Sequence, residues 1–350
     1  MADTRPPNVL PHGGTPFEAT TGVLVIGAGA GGLIAALRAK AAGAEVLVLE
    51  RDAVPRGSTA LSAGLIPAAG TRFQKAAQLT DSEAVFAGDI IHKAGGEPEA
   101  ERVGRVVAAV APAIDWLAEH YDLPFSVITN FTYPGHSANR MHGLPSRSGL
   151  ELMDRLRAAA EVAGIDIITE ARATTLLTGE GGRIIGVEII RPDGARDSIG
   201  CNALVLACNG YGGNKALVAA HIPELSGAIY FGHPGNQGEA ILWGQALGAR
   251  LADLSGHQGH GSVAEPHGIL ITWATMMEGG FQVNRDGRRF ADESHGYSEH
   301  AATLLKQPGA LGWSIFDARI AGIARQFEDF RSAEAQGAVF YERLDRKSVV

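Results

Sequence analysis

The sequence predicts an α/β fold, and three observations carry that expectation. Residues 23–50, VLVIGAGAGGLIAALRAKAAGAEVLVLE, read as an apolar strand, a glycine turn, an Ala/Leu-rich helix stopped by Gly43, and a second buried strand ending in Glu50. Residues 165–208 read as strands broken by the turn signals GEGG and PDG. At 350 residues, 45% apolar and 19% charged, the chain is long enough for two domains and a sizeable core.

The first twenty residues read as a flexible, Pro/Gly-rich tail. They hold no apolar signal region, and no later apolar run approaches the roughly 20 residues needed to span a bilayer, so a cytoplasmic protein without a membrane segment is expected. A formal charge of -8 without any Lys/Arg-rich run argues against nucleic acid and anionic membranes, which need clustered positive charge. A small-molecule substrate is the expected partner. Cys201 and Cys208 are the only cysteines, which excludes a disulfide framework, a CxxCH haem site and a four-cysteine iron–sulfur cluster within this sequence. Redox chemistry would need a bound cofactor.

In the β-α-β stretch, Gly27 suits the tight turn and Gly29 a close approach of backbone to a pyrophosphate at the helix N-terminus. Gly32, with Ala36 one turn on, suits close packing of helix on sheet. Glu50 falls where a carboxylate accepts from ribose hydroxyls, and its charge repels a 2′-phosphate. NADP is therefore disfavoured, and FAD and NAD remain. Residues 56–70, RGSTALSAGLIPAAG, then bring Gly57, Ser58, Thr59, Ser62 and Gly64 together, offering hydroxyls and bare backbone to a second stretch of cofactor. The apolar anchors in TALS and GLIP distinguish this segment from a linker. Further on, Val103, Val106, Val107, Val110, Ile114 and Leu117 fall at helical spacing and predict a packing helix kinked at Pro112.

Three segments then carry a resemblance: GSTALSAG at 57–64, ALVLACNGYGGN at 203–214 and PGNQGEAILWGQALGA at 234–249. Together they resemble the FAD-dependent fumarate reductase/succinate dehydrogenase flavoproteins, and GSTALSAG is most similar to the 3-ketosteroid dehydrogenase branch. The resemblance covers nearly all of the chain after residue 20. It implies a Rossmann-like FAD-binding domain over 21–254, and an inserted α+β capping domain that begins at 255 and closes over the flavin. It also implies a β-meander in which the Ala173 backbone meets the adenine. The candidate FAD contacts are then Gly27, Gly29, Gly32, Glu50, Arg51, Gly57, Ser58, Thr59, Ser62, Ala63, Gly64, Ala173, Asn209, Gly210 and Glu239. Non-covalent FAD is expected, because Ser58 stands where succinate dehydrogenases carry the attachment histidine.

Members of the family return to the FAD domain after the cap, whereas this sequence stops at YERLDRKSVV. The residues DRKSVV match what one frame of a common sequencing adapter encodes, so an artificial terminus after Leu344 and an incomplete cap over 255–350 are expected.

Aligned without gaps from PGNQGEA onward, His260 falls on the family's substrate histidine and Thr272 on its relay threonine. Trp273 replaces the relay glutamate, Met276 the relay arginine, and Tyr297 the proton-donating arginine that follows a turn of the NRDGRRFADES type. Trp and Met cannot hold two carboxylates or pass protons, and they suit an apolar substrate bearing a carbonyl. The resemblance to ketosteroid dehydrogenases implies that Tyr297 is the base in α,β-dehydrogenation of a steroid-like ketone. A tyrosinate at neutral pH needs its pKa lowered by about three units, and Tyr133 in TNFTYPGH is the candidate partner for that.

Residues 287–300, GRRFADESHGYSEH, read as a loop too irregular for an amphipathic helix. His142, His257, His295 and His300 read as solvated loop histidines, Arg285, Asp286 and Arg289 as turn and surface charge, and no metal site is expected. The alternatives are a fumarate-reductase-like ene-reductase of a small unsaturated acid, kept open by His260 and Thr272, and an inactive FAD-binding fragment. In either enzyme, electrons would pass to a diffusible acceptor or come from a separate reductase.

Overall fold

In the computed structural model, which describes residues 8–130 and 132–342, the first strand lies earlier than the sequence suggests. Asn8–Pro11 (β1) is a strand within the expected tail, and the Asn8 carbonyl accepts from the Trp243 indole N–H at 3.1 Å. There follow Ala19–Ile26 (β2), Ala30–Ala41 (α1), Val46–Leu49 (β3), Gly149–Val162 (α2), Asp166–Ile168 (β4), Arg172–Thr178 (β5), Ile184–Ile190 (β6), Arg196–Leu206 (β7) and Glu239–Ala246 (α3). Their strands form one seven-stranded sheet in the order β1-β5-β6-β7-β2-β3-β4.

The β4-β3-β2-β7 part is parallel, and β5-β6-β7 is the antiparallel meander that the resemblance implies, turning at the GEGG and PDG signals. Leu24, Val25, Leu33, Leu37, Val48, Leu176, Val187 and Ile189 are fully buried, which explains why β2 and β3 are continuous apolar runs rather than alternating ones. Pairing of Ile26 with Leu49 and with Leu206 brings the carboxyl ends of β2, β3 and β7 level. Ligands bind at such ends in parallel sheets.

Contacts divide the chain into two units: residues 1–64 with 149–256, and residues 65–148 with 257–350. The stretch 65–148 thus packs with the C-terminal stretch, whereas the sequence reading placed it with the cofactor domain. The second unit contains a three-stranded sheet of Ile66–Pro67, Met141–Gly143 and Ser126–Val127, and the paired helices Glu83–Lys93 and Ala100–His120. Ala100–His120 continues as one helix through Pro112, burying Val103, Val107, Ile114 and Leu117. Val106 departs from the expected core set at 56% exposure, because the buried stripe runs beside it.

Two histidines expected in solvated loops are buried. His142 lies on the middle strand, with one ring nitrogen 2.8 Å from the Thr71 hydroxyl and the other 2.9 Å from the Arg140 carbonyl. His300 lies in a helix, Tyr297–Leu305, that begins inside the segment expected to be a loop. Gly296, at φ 113°, lets the chain turn into that helix. His257 and His295 are exposed, as expected.

No helix among the described residues is long and apolar enough to cross a membrane. The terminus expected after Leu344 lies outside the described residues.

Candidate functional site

At the carboxyl ends of β2, β3 and β7, the first unit holds a cavity of about 400 Å³. Gly27 turns the chain at φ 102°, and a Cβ there would sit 2.5 Å from the Ala207 carbonyl oxygen, so only glycine fits. A Cβ on Gly32 would sit 1.8 Å from the Gly27 carbonyl oxygen, which is what seats α1 on the turn. Glu50 is buried, and each of its carboxylate oxygens accepts one backbone N–H, from Ala28 and from Asp52, both at 3.0 Å. Each oxygen keeps a further lone pair for a hydroxyl donor.

Thr59 Oγ1 accepts from the Ala30 N–H at 3.3 Å, tying the 57–64 segment to the start of α1. Ser58 Oγ accepts from the His233 N–H at 3.0 Å and from the amides of Asn236 at 2.9 Å and Asn209 at 3.2 Å. Arg51 bonds to the Gly235 carbonyl and pairs with Glu239 at 3.5 Å. Glu239 is buried, and its Oε2 has no hydrogen-bond partner among the described residues. An unpaired buried acceptor at a cavity wall fits a ligand that brings a donor.

The second unit gathers a cluster of rings. Tyr297 stacks on His260 with centroids 5.3 Å apart, and meets Tyr133 at 6.4 Å and Trp273 at 6.3 Å edge to face. The Tyr297 hydroxyl oxygen accepts from the Gln258 side-chain amide at 3.0 Å. Trp273 also faces His260 at 5.8 Å and His300 at 5.2 Å. The Gln282 amide nitrogen donates to the Gly261 carbonyl at 2.9 Å, so its oxygen accepts from His300 Nε2–H at 2.6 Å and fixes that tautomer. Among the described residues, His260 Nδ1, Trp273 Nε1 and His300 Nδ1 are buried without partners.

Burial, reinforced by His300, lowers the His260 pKa to about 4. Burial pushes the Tyr297 phenol up, opposed by the Gln258 hydrogen bond and aided by Glu299. It also pushes Tyr133 up, with Tyr297 adding to the effect. Tyr133 therefore does not depress Tyr297, contrary to the sequence expectation; two buried phenols disfavour each other's ionisation.

The family model described as FAD binding domain matches residues 22–339. The chain belongs to the FAD binding domain family. It is 32% identical over 302 residues to the probable fumarate reductase Ifc3 of Shewanella frigidimarina, an alignment covering 85% of this chain and 50% of that relative. The chain thus spans half the length of this relative. The open conformation of a flavocytochrome c3 fumarate reductase superposes with a TM-score of 0.77 at 29% identity, covering 90% of this chain and 56% of that one. The 3-ketosteroid-Δ4-(5α)-dehydrogenase of Rhodococcus jostii RHA1 shares the fold, with a TM-score of 0.72 at 24% identity, over 91% of this chain and 70% of that one.

FAD is accordingly the cofactor of this FAD binding domain, and the cavity in the first unit fits it by its glycine turn, Glu50 and the unpaired Glu239 oxygen. Of the expected contacts, Gly27, Gly29, Glu50, Arg51, Gly57, Ser58, Thr59, Ala173, Asn209 and Glu239 line it. Gly32, Ser62, Ala63, Gly64 and Gly210 do not. Ser62 donates to the Thr59 carbonyl at 2.7 Å and accepts the Gly64 N–H at 3.0 Å, so its hydroxyl shapes the turn. The Gly210 N–H is taken by the Asn209 side chain at 2.7 Å.

Sequence reasoning missed Asp52, Arg172, His233, Asn236 and Trp243 in the lining. The HPGN run held a signal for His233 and Asn236, whereas Trp243 sat inside an apolar helix pattern. In the second cluster Tyr297, His260 and Tyr133 come together, but Thr272 Oγ1 accepts the Ala274 N–H at 3.3 Å, a turn contact just before the short helix Ala274–Met277.

Proposed function

We propose that this chain is an FAD-dependent oxidoreductase acting on a carbon–carbon bond activated by a neighbouring ketone. Bound FAD supplies the carrier for two electrons as hydride. Tyr297 exchanges the proton at its hydroxyl oxygen, and His260, Trp273 and Met276 provide an apolar setting for the substrate. One observation carries the reading: His260 and Tyr297 are stacked at 5.3 Å within a cluster of rings that includes Trp273 and Tyr133, a buried setting that keeps the imidazole and the phenol neutral near pH 7. A neutral pair suits a carbonyl oxygen, whereas a dicarboxylate needs cations. The nearby Lys93 is paired with Glu299 at 2.6 Å and Arg289 with Glu293 at 2.5 Å, so these charges are already met.

Because the Tyr297 phenol is raised rather than lowered, it rests as an acid, and taking a proton from a ketone substrate becomes faster toward alkaline pH. In this reading the unit formed by residues 1–64 with 149–256 serves the cofactor, and the unit formed by 65–148 with 257–350, Tyr133 included, serves the substrate. Electrons leave to a diffusible acceptor or arrive from a separate reductase.

A second reading, reduction of a small unsaturated acid, is favoured by the 32% identity to a probable fumarate reductase and by the retained His260 and Thr272. One anaerobic experiment separates the two. The FAD-loaded protein is mixed with 3-ketosteroids, and its reduced form with their unsaturated products and with fumarate, while the flavin absorbance is followed. Bleaching by ketones supports the first reading. Reoxidation by fumarate alone overturns it in favour of the second.

A further inference from the structure

The Tyr297 hydroxyl has a hydrogen-bond partner that the sequence did not suggest. Gln258 lies two residues before His260, is itself exposed, and places its amide nitrogen 3.0 Å from the Tyr297 oxygen. An amide nitrogen has hydrogens to give and no lone pair to receive, so it donates. Two consequences follow for a phenol. Its oxygen is occupied from one side by an incoming N–H, which turns its own O–H toward the other side. The donor also binds the phenolate more strongly than the phenol, because hydrogen bonds to charged acceptors are the stronger ones.

Among the described residues, the rings packed against Tyr297 do not do this. Tyr133 approaches edge to face, and His260 offers a ring face stacked at 22° rather than an N–H. A cavity of about 200 Å³ on the Tyr297 side is lined by His136, Lys93, Glu299 and the Asp89–Arg140 pair. Within it Lys93 and Glu299 pair at 2.6 Å, and Arg140 is held by Asp81 and Asp89, so these charges largely balance.

We infer that Gln258 is the positioning residue of the Tyr297 acid–base group, aiming the phenol proton away from itself and stabilising the phenolate each time the proton leaves. The inference rests on the proposed function for its catalytic meaning, but its physical content concerns the phenol alone.

The test uses the full chain with a ring-fluorinated tyrosine incorporated at position 297, whose lower intrinsic pKa brings ionisation into a range where the fold survives. Its ionisation is followed by fluorine NMR in the parent and in Gln258→Met, with Gln258→Leu as a second variant should the first fail to fold. The expected result is a midpoint moved to higher pH by about one unit, since one donor to a charged oxygen is lost. An unchanged midpoint overturns the inference. A lowered midpoint also overturns it, because it means that the amide oxygen had been accepting the phenol proton. Neither FAD nor substrate enters the measurement, so a failure of every ketone to bleach the flavin would defeat the proposed function while leaving this result standing.

Discussion

Tyr297 and Glu50 show how one side chain's role depends on what surrounds its oxygens. Glu50 looks from the sequence like a ribose acceptor and nothing more. In the fold it is also a clamp, joining the glycine turn to the end of β3 through the Ala28 and Asp52 N–H groups. Tyr297 looks like a base that needs a depressed pKa, yet burial raises it above the ordinary value of 10.0. Tyr297→Phe is expected to keep FAD bound and to lower the rate of flavin reduction by a ketone about 10²- to 10⁴-fold, the usual worth of a positioned acid or base. With the pKa raised, the parent's rate should still be climbing with pH across the neutral range, and that climb should vanish in the variant. Stopped-flow flavin bleaching checks both, and an equal rate in Tyr297→Phe would assign the proton to His260 or to water.

At the scale of elements, α1 is seated by contact distance rather than by helix propensity. Gly32 faces the Gly27 carbonyl so closely that an added methyl at 1.8 Å demands a shift of backbone, whereas a methyl on Gly31 meets no protein atom within 4 Å. Gly32→Ala should therefore displace α1 from the turn and cost several kcal/mol, beyond the 1–3 kcal/mol typical of overpacking. Gly31→Ala should hold or raise the melting temperature, since alanine is favoured over glycine in a helix by up to about 1 kcal/mol. Any loss in Gly31→Ala should fall on FAD affinity, because Gly31 lines the cavity. Thermal melts of the two variants with and without FAD check this, and equal stability would mean that the turn can yield. The helix starting at Tyr297 makes the same point from the other side: its charged, irregular sequence hid a helix that is fixed by Gly296 and by burial of His300 and Ala301.

For the molecule as a whole, buried neutral histidines set a pH dependence whose sign can be worked out. His260 titrates at about 4 in the fold against an ordinary value of 6.5, so between these pH values the unfolded chain takes up a proton that the folded chain refuses. Stability is full above about pH 6.5 and falls as pH drops toward 4, by roughly 3 kcal/mol from His260 alone. His136, His142 and His300 are lowered by burial and act in the same direction. Urea unfolding across this window should show a shallower slope of stability against pH in His260→Gln than in the parent, and an unchanged slope would place His260 in water. From the amino-acid pattern come the β-α-β unit, the strands of the meander and ten of the residues that line the first unit's cavity, because strand periodicity, glycine turns and a terminal acid are local signals within a few dozen residues. It also brought Tyr297, His260 and Tyr133 forward as a group. Packing in three dimensions settles that β1 joins the sheet, that 65–148 packs with the C-terminal stretch, that His142 and His300 are buried, and that Gln258 reaches the Tyr297 hydroxyl. Those outcomes depend on burial and on partners such as Gln258 and Trp243 brought in by packing. Pairing across distant segments and loss of water around a side chain leave no periodic trace in the sequence.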